Sequence, residues 1–119
     1  MRINILIVDN DALIIKVLAD FLSKDIRFNV LTALNGKAAL EIVEKHKVEL
    51  VISDLKMPEM NGIELLSTLR KNLPEIKAII LTGHSDIDSY IETMELGAFE
   101  YLNKPVDLHL LKEVIDKLL

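Results

Sequence analysis

Four apolar, strand-like runs in this chain each lead to a residue able to do chemistry. Residues 3–8 lead to Asp9, 50–53 to Asp54, 77–81 to Thr82, and 99–102 to Lys104. A carboxylate at the C-terminal end of a central strand lies where open parallel sheets place ligands and chemistry. Asp54 therefore reads as a nucleophile that takes a phosphoryl group, since a carboxylate forms an acyl phosphate as a covalent intermediate. Asp9 would bring a second carboxylate, and two such groups repel unless a cation joins them. Hard oxygen donors suit Mg2+, which keeps several waters and uses one or two carboxylates plus phosphate oxygens. Lys104 would add a second positive charge for the equatorial phosphoryl oxygens, and the Thr82 hydroxyl would donate to another.

Gathering these groups requires particular elements. Residues 3–8 are β-branched and apolar apart from Asn4, which suits a strand buried on both faces. Ile14, Val17, Leu18, Phe21 and Leu22 then recur at helical spacing on one face. A shorter strand is expected at 29–33, a second helix from Asn35-Gly36 with Ala39, Ile42 and Val43 inward, and a third strand at 50–53. Pro58 and Gly62 mark a tight connection into a third helix carrying Leu66 and Leu69, which ends before Pro74. After the strand at 77–81, Ser85-Asp86-Ile87-Asp88 reads as a capping box for a fourth helix that Gly97 ends. A fifth strand is expected at 99–102. Asp107 then caps a last helix with Leu108, Leu111, Val114, Ile115 and Leu118 inward.

Strands alternating with helices through short loops demand a parallel sheet covered on both faces. The fold class is α/β, a flavodoxin-like doubly wound (βα)5 arrangement in one domain spanning 1–119. In its strand order 2-1-3-4-5 the first and third strands flank the switch point. Asp9, Asp54, Thr82 and Lys104 then share one edge of the sheet. The second strand ends in Ala33-Leu34 and adds nothing obvious.

Bulk properties exclude several classes. At 119 residues, half of them hydrophobic, the chain can bury about two-thirds of its unfolded surface. A formal charge of −5 without a basic block argues against direct binding to nucleic acid or an anionic membrane. No apolar run reaches membrane-spanning length, and the N-terminus enters a strand pattern at once, without the features of a signal peptide. A cytoplasmic location is expected. The absence of cysteine excludes disulfides and thiol chemistry and leaves the redox compartment open. His46, His84 and His109 are dispersed and read as surface or loop residues.

Several motifs, taken jointly, resemble a known family. Val8-Asp9-Asn10-Asp11, Asp54-Leu55-Lys56-Met57-Pro58 with Gly62, Thr82-Gly83, and Tyr101 three before Lys104-Pro105 are similar to the receiver domain of two-component response regulators, in order and over essentially the whole chain. The resemblance implies a phosphorelay switch. A histidine kinase, a phosphotransfer protein or a small phosphodonor phosphorylates Asp54 with Mg2+ present. Asp9, Asp54 and the backbone carbonyl of Lys56 hold the metal, with Asn10 or Asp11 as a further ligand. Thr82 turns inward to the phosphoryl oxygen, Tyr101 follows, and Lys104 pairs with the phosphate. The face formed by the fourth helix, fifth strand and fifth helix is remodelled for an output domain, a downstream protein or a second copy. Phosphorylation can bias only conformations already accessible, and Gly83 leaves the Thr82 loop room to move. Lys56 and His84 border the site, where the family tunes phosphoryl lifetime, and Lys104–Pro105 is a cis bond. The family usually carries two adjacent acids after the first strand. Asn10 stands in the second place, keeping a carbonyl oxygen but no charge, so weaker Mg2+ binding than in a typical receiver is expected. Residues 81–88 resemble receivers attached to transcriptional activators. No output domain lies within the sequence, as expected of a stand-alone receiver or a part of a longer regulator or hybrid kinase.

Plainer roles compete for some of these residues. Asp11 also suits a helix N-cap, and Tyr101 also suits packing in an edge strand. Asp86, Asp88, Glu92 and Glu95 read as a solvated helix face, the first two complementing the helix dipole. The chief rival function is a haloacid-dehalogenase-like phosphohydrolase with Asp9 as nucleophile and Asp11 as acid/base. Leu13 departs from that motif, no acidic pair follows Lys104, and Asp54 would be idle. A third reading is a receiver-like interaction module that works without phosphorylation.

Overall fold

The computed structural model describes residues 2–83 and 86–119. The elements are β1 (Ile3–Val8), α1 (Ala12–Leu22), β2 (Phe28–Ala33), α2 (Gly36–Lys45), β3 (Leu50–Asp54), α3 (Gly62–Asn72), β4 (Lys77–Thr82), α4 (Ile87–Glu95), β5 (Glu100–Asn103) and α5 (Leu108–Leu118). The strands form one parallel sheet in the order β2-β1-β3-β4-β5, as expected.

Strand periodicity divides the core into two faces, because successive side chains point to opposite sides. Ile5 and Ile7 of β1, Leu50 and Ile52 of β3, and Ile79 and Leu81 of β4 face Ile15, Leu18 and Leu22 of α1 and Leu111, Val114, Ile115 and Leu118 of α5. Leu6, Val8 and Val51 face Ala39 and Val43 of α2 and Leu65 and Leu69 of α3. Leu66 packs with Ala78, Ile80 and Ala98. Each large buried aliphatic side chain contributes about 1.5–3 kcal/mol by leaving water. Two-sided burial makes the central strands rigid, which fixes whatever stands at their ends.

Several details depart from the sequence reading. The buried stripe of α1 runs through Ile15, Leu18 and Leu22, while Val17 is 48% exposed and Ile14 and Phe21 are only partly buried. Residues 12–15 are all apolar, so hydrophobicity alone leaves the phase of the helix open, and packing against β1 and α5 sets it. β5 runs through Glu100–Asn103, one residue later than expected, because Asn103 pairs with Thr82 and the Lys104 N–H continues to the Thr82 carbonyl at 2.7 Å. The N-cap of α4 is Asp86, whose carboxylate accepts from the Ser89 N–H at 2.8 Å. Ser85, expected to begin that cap, and His84 lie outside the described residues. Asp107 caps α5 as expected, and Gly97 follows α4 with φ +86°. The Lys104–Pro105 peptide is cis.

Candidate functional site

Parallel pairing brings the polar strand ends together. Val8 is in register with Ser53 and Asp54 with Leu81, so Asp9, Asp54 and Thr82 end neighbouring strands at one rim. All three are buried, at 1%, 7% and 1% exposure. Lys104 crosses from the end of β5. Its Nζ lies 2.8 Å from Asp9 Oδ2 and 3.2 Å from Asp54 Oδ1. One amine therefore bridges two carboxylates that are 95 and 50 residues away in sequence.

The backbone around these groups is tightly specified. The Leu55 N–H donates to the Leu81 carbonyl at 2.9 Å, and the Ser53 hydroxyl donates to the Asp54 carbonyl at 2.9 Å. The Gly62 N–H then donates to the Leu55 carbonyl at 2.7 Å. A Cβ at position 62 would run into the Asp54 carbonyl oxygen and the Leu55 Cα, so only glycine lets α3 begin this close to the end of β3. Asn61 and Glu64 close the start of α3 with a reciprocal capping box. Between them and Asp54 the chain turns sharply at Glu59, which has φ +69°, while the Met60 N–H reaches the Pro58 carbonyl at 2.8 Å.

Electrostatics follow from burial and crowding. Burial pushes the Asp54 carboxyl above its ordinary pKa, and the charge on Asp9 adds to it, while Lys104 opposes both. Burial also works against the charge on Lys104, but Asp9 and Asp54 outweigh it and hold the amine above the usual lysine range. Burial lifts the Tyr101 phenol, and the nearby Thr82 hydroxyl pulls it the other way. The ring of Tyr101 meets that of Tyr90 edge to face, with centroids 5.4 Å apart.

The loop after β1 divides its acids between two tasks. Asp9 Oδ1 accepts from the Asp11 N–H at 2.9 Å. Asp11 turns its own carboxylate to the N–H groups of Leu13 and Ile14, at 2.9 and 3.4 Å, as the N-cap of α1. Asn10 is exposed, as is Lys56. Among the described residues no three His, Cys, Asp or Glu side chains gather into a metal cluster. Two buried carboxylates nevertheless match the donor set of Mg2+, which completes its octahedron with waters and phosphate oxygens. Burial and, after it, the neighbouring Asp9 charge raise the Asp54 pKa, and the crowding of two carboxylates is the kind a divalent cation relieves.

The structure thus joins Asp9, Asp54 and Lys104 directly, sets Thr82 on the adjoining strand, and puts Tyr101 one strand further out. It does not bring the side chains of Asn10 or Lys56 into that contact. Two positions escaped the sequence reading. In sequence Gly62 marks the tight connection and part of the receiver-like motif, without its close approach to Asp54, and Tyr90 is not singled out at all; their contacts depend on the tertiary fold. Beside Lys104 lies an apolar groove of about 300 Å3, lined by Leu13, Ile14, Val17, Leu18, Pro105 and Val106.

Comparison with known proteins identifies the family. The family model for the response regulator receiver domain matches residues 5–116. The chain is 35% identical over 119 residues to sporulation initiation phosphotransferase F of Bacillus subtilis, covering all of this chain and 95% of that protein. It is 38% identical over 113 residues to the transcriptional regulatory protein GlrR of Escherichia coli, covering 95% of this chain but 25% of that protein. The chain therefore spans about a quarter of the length of that curated relative. A response regulator receiver domain protein from Clostridium thermocellum superposes with a TM-score of 0.91 at 36% identity, over 98% of this chain and 93% of that one.

Proposed function

The chain belongs to the response regulator receiver family of two-component signalling, and from that premise we propose that Asp54 is the residue that accepts the phosphoryl group. The observation that carries this is the Lys104 amine held between the Asp9 and Asp54 carboxylates. An Asp54 carboxylate oxygen attacks phosphorus, an O–P bond forms, and the bond to the donor histidine nitrogen breaks. The acyl phosphate brings roughly one further negative charge than the carboxylate it replaces. Lys104, kept protonated by its two acids, is already in place to meet that charge, and Thr82 at the adjoining strand end supplies a hydroxyl donor. Asp9, Asp54 and the Lys56 carbonyl would hold Mg2+, which when bound neutralises phosphoryl oxygens. Asn10 adds no charge to that set and Asp11 is committed to its helix, so the ion is held more weakly than by three acids.

The apolar groove along α1, opening beside Lys104, suits a helical histidine kinase or phosphotransfer protein that must approach Asp54. Exposed Ile87, Tyr90, Ile91 and Leu110 give the α4–β5–α5 side an apolar surface for an output domain, a downstream protein or a second copy. A cytoplasmic location goes with this reading, and no helix among the described residues is long and apolar enough to cross a membrane. The phosphohydrolase reading is disfavoured because the chain belongs to the receiver family and because that reading leaves Asp54, held by the same amine as Asp9, without a role. Acetyl phosphate and Mg2+ should add one phosphoryl mass to the intact protein, and Asp54→Ala should abolish the gain. No gain with any donor would mean a module that works without phosphorylation.

A further inference from the structure

α4 is the helix least sunk into the molecule. Thr93 is its one fully buried residue among those described, whereas α3 and α5 each bury four. Tyr90 on α4 meets Tyr101 on β5 with ring planes 87° apart, the edge-to-face geometry that aromatic quadrupoles favour. The Tyr101 phenol oxygen is sealed from solvent, while Tyr90 is 46% exposed. Tyr90 thus covers one side of the Tyr101 ring, which is otherwise half-buried. We propose that Tyr90 is a positioning residue for Tyr101: its ring closes the outer wall of the pocket that holds Tyr101 inward, and so ties the movement of Tyr101 to α4. The link between that movement and phosphorylation rests on the function proposed above. Coupling of this kind is reciprocal, so a partner that displaces Tyr90 would also loosen Tyr101.

The protein carries its own reporter, because Tyr90 and Tyr101 are its only tyrosines and it has no tryptophan. In both Tyr90→Phe and Tyr90→Leu, tyrosine signals come from Tyr101 alone, one variant keeping an aromatic ring at position 90 and the other losing it. Before phosphorylation, Tyr90→Leu should show a near-ultraviolet circular dichroism band at least two-fold weaker than Tyr90→Phe, and at least two-fold stronger acrylamide quenching. Far-ultraviolet spectra should coincide, since position 90 is half exposed. Equal bands and equal quenching in the two variants would overturn the proposal. Adding acetyl phosphate and Mg2+, with the mass gain verified, tests the other link. A Tyr101 signal that does not change in phosphorylated Tyr90→Phe would refute Tyr101 as the responding group, while the comparison without phosphate would still decide the role of Tyr90.

Discussion

The amine of Lys104 lies between two carboxylates that burial has stripped of most of their water, and the three charges are unequal in number. Removing the amine leaves two acids facing each other in a medium that screens poorly. Breaking a buried pair by deleting one partner typically costs about 3–5 kcal/mol. Lys104→Met should therefore lose about 3 kcal/mol in urea denaturation at pH 7. The folded-state pKa of Asp54 lies above its unfolded value, so its favourable contribution is complete at acid pH and is lost as the pH rises through the folded pKa. The deficit of Lys104→Met should accordingly narrow on acidification, and adding Asp54→Asn should restore much of the loss at pH 7. A deficit that stays constant with pH would mean that packing of the lysine stem, not charge, was lost.

At the scale of the element, the approach of α3 to the end of β3 governs where the Asp54 carboxylate sits. Gly62→Ala forces the new methyl against the Asp54 carbonyl and the Leu55 backbone, neither of which can give way as a flexible side chain would. Overpacking of this sort costs about 1–3 kcal/mol. The phosphoryl mass gain should also slow, since the displaced atoms belong to Asp54, the proposed acceptor. Gly83→Ala is the control: a Cβ there meets nothing within 4 Å, and stability should change by less than about 0.5 kcal/mol. An equal effect of the two substitutions would show that contact with Asp54 is not what glycine serves at 62. The sequence disclosed α3 through Pro58, Gly62 and the Leu66–Leu69 spacing, but neither its Asn61 cap nor the reason for the glycine, which lies in another element's backbone. The phase of α1 was hidden for the opposite reason: with apolar residues on several sides, its periodicity admits more than one buried stripe, and Val17 lines an outer groove instead of the core. Asp9, Asp54, Thr82 and Lys104 were legible because each ends a strand, and strand order alone brings strand ends together.

Across the whole molecule, the Asp9–Lys104–Asp54 cluster occupies one rim of the sheet and a separate charge network the other. Arg27, just before β2, pairs with Asp25 at 2.6 Å and with Asp116 of α5 at 2.8 Å, and Lys112 reaches Asp25 at 3.2 Å. The Arg27 guanidinium also lies 4.9 Å over the Phe28 ring. Nothing in the spacing of these residues announced the network, because it joins groups 89 residues apart in sequence. Bonds to Arg27 hold the carboxyls of Asp25 and Asp116 below their ordinary range, so their contribution is present at neutral pH and lost as the pH falls through their folded-state values. Arg27→Ala should lower the melting temperature in dilute buffer, and the deficit should shrink in 1 M salt, where screening acts over about 3 Å. A deficit that ignores salt would point to lost contact with Phe28. With α5 moored at that base and the proposed acceptor at the opposite rim, the protein is built like a tuning fork gripped at its stem: motion begun at Asp54 would be freest near the lightly buried α4 and weakest beside Arg27.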